Sequence, residues 1–141
     1  MIKLVGSTVL ALAVVACSNM KGNTPVASLP LTSAQGVAGA MGNVTVNADT
    51  TAGNTKLDVK VEHLAPPAKI TPTANVFVVW ARAQKEQPQN LGALEVDRDL
   101  KGELQTLTTL KNFELFITPE ASSSVSGPTN APVLSTHVNA P

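Results

Sequence analysis

Apolar and polar residues follow two different patterns along this chain. Residues 4–16 form an almost unbroken apolar run, and a polar stretch follows abruptly at 18–23. From residue 36 onward, apolar residues come in short runs or in alternation with polar ones, between clusters of Gly, Pro, Asn and Asp. The second pattern is typical of short, partly buried β-strands separated by turns. It predicts an all-β domain over 36–141.

Seven strands are predicted from this alternation. The segment 56–64 alternates cleanly, with Leu57 and Val59 on one face. The segments 91–97 and 102–107 flank a polar turn, and we expect them to form a hairpin. The full set of predicted strands is 42–48, 56–64, 75–82, 91–97, 102–107, 112–118 and 133–138.

The arrangement of these strands predicts an antiparallel immunoglobulin-like sandwich of about seven strands. No stretch carries a long apolar stripe at helical spacing, so an alternating βαβ architecture is not expected. Trp80 lies in the third predicted strand, as in that architecture, although the inter-sheet cysteine pair of antibody domains is absent.

The third and sixth predicted strands are apolar on both faces. If both lie centrally in one sheet, Phe77, Val79 and Phe116 form an outer apolar patch, which is a candidate surface for a protein partner. The alternative is that the loop 66–73, the preceding tether or long neighbouring side chains cover these residues. The pattern leaves both possibilities open.

The balance of charges argues against one class of partner. The chain has 10 Lys and Arg against 10 Asp and Glu, so its net charge is zero, and only 14% of its residues are charged. A nucleic-acid-binding domain carries a basic surplus. Nucleic acid is therefore not an expected partner.

The single cysteine, Cys17, stands where the apolar run ends. The positive start, the apolar run and the polar stretch are arranged as in a secretory signal peptide, and the run is shorter than the ~20 residues of a membrane-spanning helix. Residues 14–17, VVAC, resemble the lipobox of bacterial lipoproteins. The resemblance implies cleavage before Cys17 and acylation of that residue. It leaves the mature chain no free thiol.

The resemblance to lipoproteins also implies a location and a domain layout. Because Ser18 follows the cysteine, sorting as in enterobacterial lipoproteins implies a lipid-anchored protein of the outer membrane that faces the periplasm. Residues 19–35 show no sustained periodicity and contain two prolines, which is typical of an extended tether. The expected layout is a signal peptide at 1–16, the lipidated cysteine and a flexible tether at 17–35, and the sandwich at 36–141.

A second resemblance covers residues 74–138. A hydrophobic strand ending in Trp, a Leu-Gly turn, a strand that leads into Glu and a Pro-rich turn are similar to the extracytoplasmic domain of anti-sigma-K-factor-type proteins. The resemblance implies the sandwich and an envelope location. The sigma-binding domain and membrane helix of those proteins have no counterpart in this sequence, so no anti-sigma activity is implied. The matching positions are 76–80, 91–92, 113–120 and 128–134.

Residues that could carry catalysis or bind a metal are few. His63 and His137 lie near the ends of separate predicted strands, and no motif surrounds either. Ser122 and its two serine neighbours lack the setting of a nucleophile elbow. Asp97 and Asp99 could hold a cation, but turn formation is the simpler interpretation. We expect no cofactor, no metal and no catalytic residue.

These observations predict a lipid-anchored envelope protein with a non-enzymatic β-sandwich that serves as a binding or assembly module. One alternative is a sensory or regulatory module related to anti-sigma-type proteins. Another is a hydrolase or metalloprotein that uses His63 and His137, which requires the two imidazoles to converge in one cleft.

Overall fold

The computed structural model describes residues 25–34, 37, 39–49 and 51–140, and the regular secondary structure of these residues is almost entirely β. The predicted signal peptide and Cys17 lie outside these residues. Over the described ranges, no helix has the length and hydropathy needed to span a bilayer. The elements in chain order are β1 (Pro25–Ser33), β2 (Met41–Asp49), β3 (Asn54–Glu62), α1 (Pro67–Ile70), β4 (Val76–Arg82), β5 (Gln89–Leu94), β6 (Gly102–Thr108), β7 (Asn112–Glu120) and β8 (Leu134–Asn139).

The predicted all-β class is confirmed, and the seven predicted strands correspond to β2 through β8. The alternation of apolar and polar residues identified these strands because most of them bury only one face. In β3, Leu57 and Val59 are buried, whereas Lys56 and Lys60 are exposed. Side chains of successive strand residues point to opposite faces, so this pattern sets which face meets the core.

The strands form two facing sheets that share β1. The first sheet has the order β1-β2-β3-β6 and the second β5-β4-β7-β8-β1, all antiparallel. Without β1, the order β2-β3-β6 facing β5-β4-β7-β8 is that of an immunoglobulin-like sandwich. It differs from an antibody constant domain in one pairing. When β2 is counted as the first strand, the fourth strand of an antibody constant domain pairs with the fifth, whereas here the fourth strand, β5, pairs with the third, β4.

The connection between β5 and β6 corrects the predicted hairpin. One isolated β-bridge joins Val96, which follows β5, to Gly102 at the start of β6. Beyond it, β5 pairs with β4 in one sheet and β6 with β3 in the other. A Cβ on Gly102 would lie 2.7 Å from the carbonyl oxygen of Glu95, so a side chain there would block the crossing. The prediction failed because alternation does not reveal which strand is the pairing partner.

Asp97 forms the turn of this crossing. Its Oδ1 atom accepts hydrogen bonds from the backbone N–H groups of Asp99 (2.9 Å) and Lys101 (3.0 Å). This is the local bonding that makes aspartate frequent in turns.

The strand β1 corrects the predicted tether over Pro25–Ser33. It pairs with β2 as far as Leu31, and Thr32 and Ser33 then pair with β8 in the other sheet. Pro30 made a strand look improbable because proline cannot donate a ladder hydrogen bond. Up to Leu31, however, β1 lies at the edge of the first sheet, where proline is tolerated. The folded domain therefore includes residues 25–33.

The main core lies between the two sheets. It contains buried aliphatic and aromatic residues from both, and Leu31 of β1 belongs to it. The helix α1 precedes β4, and its Ile70 packs against the edge of this core. A second, smaller apolar cluster lies on the opposite side of the second sheet.

Candidate functional site

The outer face of the second sheet carries the smaller apolar cluster, and this cluster is covered. Val78, Trp80 and Phe116 are buried, with Val76 and Val125 packed against them. The rings of Trp80 and Phe116 are stacked with centroids 6.5 Å apart. Val125 belongs to the segment 121–133 between β7 and β8, so this segment contributes to the cover.

The predicted partner patch of Phe77, Val79 and Phe116 is therefore wrong. Phe77 and Val79 point into the core between the sheets, and each has 0% of its surface exposed. Phe116 does lie on the outer face, but it is only 2% exposed. The guanidinium of Arg82 lies 5.1 Å from the centre of its ring and adds to the cover. Phe116 is thus covered by neighbouring residues, which is the alternative to an exposed partner patch.

A buried glutamate holds the 121–133 segment against the sheet. Glu120 ends β7 and is fully buried. Its Oε1 accepts hydrogen bonds from the Thr118 hydroxyl (2.7 Å) and the Thr129 backbone N–H (2.9 Å), and its Oε2 accepts one from the Thr129 hydroxyl. Trp80 Nε1 donates to Thr118 Oγ1 at 2.8 Å. We call Trp80, Thr118, Glu120 and Thr129 the glutamate network.

The hydrogen bonds keep Glu120 ionised despite its burial. Loss of solvent raises the pKa of this carboxyl, because burial disfavours the charged form. The hydroxyls of Thr129 and Thr118 and the backbone N–H groups of Thr129 and Asn130 lower it by a larger total. The net result is a pKa below its ordinary value of 4.5. The carboxylate is therefore an anchor for the segment that folds over the sheet.

Further hydrogen bonds extend this attachment along the segment. Asn130 Nδ2 donates to the Pro119 carbonyl oxygen at 2.6 Å. Asn90 Nδ2 donates to the carbonyl oxygens of Ser123 (2.9 Å) and Val125 (3.0 Å). Trp80, Glu120 and Thr129 all belong to the segments that resemble anti-sigma-K-factor-type proteins. In the structure, these three residues are connected by the glutamate network. Glu120 belongs to one of these segments, but nothing in the local sequence pattern indicates that its carboxylate anchors the 121–133 segment.

The outer face of the first sheet is open and polar. Asp58 lies at its centre, with Thr45 and Gln105 on the adjacent strands. Lys60 Nζ is 3.7 Å from Asp58 Oδ2, and Asp58 Oδ1 has no hydrogen-bond partner among the described residues. We call this surface the polar face; it consists of Asn43, Thr45, Asn47, Lys56, Asp58, Lys60, Glu103, Gln105 and Leu107.

The two histidines lie toward opposite ends of the sandwich. His63 directly follows β3, where a positive φ of 56° turns the chain away from the sheet. His137 lies on β8 beside Glu114, in a groove that it shares with Arg82 and Lys85. Glu114 is engaged by Arg82 at 2.6 Å. The imidazoles do not share a cleft, and the described part of the chain has no cluster of three acidic, histidine or cysteine side chains suited to a metal.

Comparisons of this chain with protein-family models, with curated proteins and with solved structures found no match.

Proposed function

We propose that this chain is a lipid-anchored protein of the bacterial envelope whose β-sandwich is a non-enzymatic binding or assembly module facing the periplasm. The observation that carries the proposal is the VVAC sequence at 14–17, after an apolar run of signal-peptide length. Acylated Cys17 is the membrane anchor. Each buried methylene contributes about 0.8 kcal/mol, so two or more acyl chains hold a protein durably on a membrane.

The polar face is the surface that we assign to a protein partner. Its apolar counterpart on the second sheet is closed by the 121–133 segment, so the binding surface proposed here differs from the patch predicted from sequence. Exposed amide, hydroxyl and charged groups around Asp58 suit a partner that pairs by hydrogen bonds more than one that buries a large apolar area. This assignment replaces the apolar patch.

Replacing Cys17 by serine tests the anchor. We expect the wild-type chain in the membrane fraction, with a mass that includes a diacylglyceryl group, and the Cys17→Ser chain without that mass. A Ser18→Ala chain is the matched control and should keep the lipid, because the cysteine is the acylated residue. Intact mass spectrometry and fractionation of bacterial envelopes give the readouts. A wild-type chain without acyl mass would contradict the proposal.

Photo-crosslinking tests the binding module. A photoreactive phenylalanine analogue replaces Gln105, which is exposed on the polar face, or Ser122, which is exposed on the covered side. We expect a discrete adduct from position 105 in living cells and none from position 122, with the partner identified by mass spectrometry. No adduct from position 105 would remove the polar face as the binding surface.

The identity of that partner also tests our second proposal, a sensory or regulatory role related to anti-sigma-type systems. The support for this role is that matched residues such as Trp80, Glu120 and Thr129 form one network in the fold. A signalling protein captured at position 105 would favour it. A structural envelope protein captured there would favour assembly.

A further inference from the structure

At one end of the sandwich, the start of β1 lies together with the β2–β3, β4–β5 and β6–β7 connections. Pro25 pairs with Asn47 next to the β2–β3 turn. The Thr55 hydroxyl donates to the Leu110 carbonyl oxygen at 2.9 Å, which joins that turn to the β6–β7 connection. The Thr108 hydroxyl donates to Gln89 Oε1 at 3.3 Å, beside the β4–β5 loop. We call this surface, formed by the connections 51–53, 83–88 and 109–111, the near end.

The short distance along the chain from Cys17 restricts which end can approach a membrane. Seven residues, 18–24, separate Cys17 from Pro25. The chain therefore takes eight steps from the Cα atom of Cys17 to that of Pro25, and eight fully extended steps span at most about 28 Å. The nine residues of β1 run away from the near end and span roughly 30 Å at ~3.3 Å per residue. The opposite end, with the 97–101 turn, could reach the lipid only if the tether ran fully extended beside the whole domain.

The distribution of charge favours the same orientation. Lys85 is exposed at the tip of the β4–β5 loop. The near end also carries the basic residues Lys56 and Lys111 and the acidic residues Asp49 and Glu86, an excess of one basic residue over acidic ones. The Arg82 charge there is paired with Glu114. The opposite end exposes a larger number of acidic residues than basic ones. Its acidic residues are Glu62, Glu95, Asp97, Asp99 and Glu103, and its basic ones are Lys60, Lys69, Arg98 and Lys101.

We propose that the near end rests on phospholipid headgroups, with the sandwich standing end-on and the 97–101 turn pointing away from the bilayer. This inference depends on the proposed acylation of Cys17. Anionic headgroups favour the near end, which has one basic residue more than acidic ones, over the opposite end, which has one acidic residue more than basic ones. In this orientation the polar face stands roughly perpendicular to the membrane and is open to a periplasmic partner along its length.

Fluorescence quenching by lipid tests this orientation on the acylated full-length chain. In the mature chain the sulfur of Cys17 is acylated and no other cysteine exists, so an introduced cysteine takes the label alone. Lys85→Cys and Arg98→Cys are matched variants, because each removes one exposed cation. Each labelled chain is placed in phosphatidylethanolamine and phosphatidylglycerol vesicles, with or without a headgroup spin-labelled lipid.

We expect quenching several-fold stronger at position 85 than at position 98. Equal quenching, or stronger quenching at position 98, would overturn the orientation. The mass of each chain is measured before reconstitution. A chain that bacteria do not acylate would overturn the proposed anchor, whereas an acylated chain with the wrong quenching order overturns the orientation alone.

Discussion

Replacing Phe77 by alanine is expected to destabilise the sandwich by about 4 kcal/mol, because a fully buried phenylalanine loses its transfer free energy and leaves a cavity. Phe77 lies on β4, with Leu94 of β5 and Pro119 of β7 beside it in the sheet, and its side chain belongs to the core between the sheets. Urea unfolding of the purified chain measures the change. Trp80 is the chain's single tryptophan and is fully buried, so its fluorescence reports the transition.

Two control variants separate a core effect from a general one. Phe77→Leu keeps most of the apolar volume and should cost about 1.2 kcal/mol, as conservative core substitutions do. Leu107→Ala removes a side chain that is 55% exposed on the polar face, and should change stability by less than about 0.5 kcal/mol. A Phe77→Ala cost as small as that of Leu107→Ala would place Phe77 outside the core.

The sequence was sufficient to predict the strands β2 to β8 but not the orientation of β4. Period-two alternation identifies a strand whenever one face is polar, as in β3. In β4 the residues of both faces are apolar, so nothing in the segment distinguishes the Phe77 face from the Trp80 face. The orientation follows from the 121–133 segment, which covers Trp80, and that segment is attached through Glu120. Such a contact between distant residues leaves no periodic signal.

The other differences have the same origin. The strand β1 contains Pro30, and local rules count proline against a strand although a sheet edge tolerates it. The segments around Gly102 look like a hairpin, because turn chemistry at Asp97 is the same whether the chain folds back within one sheet or crosses to the other. Local chemistry was predicted correctly at these places, whereas the pairing partner depended on the rest of the fold.

Removing the Glu120 carboxylate is the second large effect that we expect. In Glu120→Ala the Thr118 hydroxyl and the Thr129 backbone N–H and hydroxyl lose their acceptor. Hydrogen bonds to charged groups contribute about 1.5–3 kcal/mol each, and unpaired buried groups add a desolvation cost. Because these terms overlap, we expect a net loss of about 3 kcal/mol in urea unfolding. We also expect faster proteolysis within 121–133, because this segment loses its attachment.

Glu120→Gln separates the charge from the shape of this side chain. The pKa of Glu120 is lower in the folded chain than its ordinary value of 4.5. Its ionisation therefore stabilises the fold fully above about pH 5, and that stabilisation is lost as the pH falls through the lower folded pKa. Glu120→Gln should be less stable than wild type at pH 7 by about 2 kcal/mol, since it keeps one acceptor but loses the charge-assisted bonds. The difference should shrink as the pH drops below 4.5, because protonation also removes the charge from the wild-type residue. A difference that stays constant from pH 7 to acid would show that Glu120 contributes through packing and not through its charge.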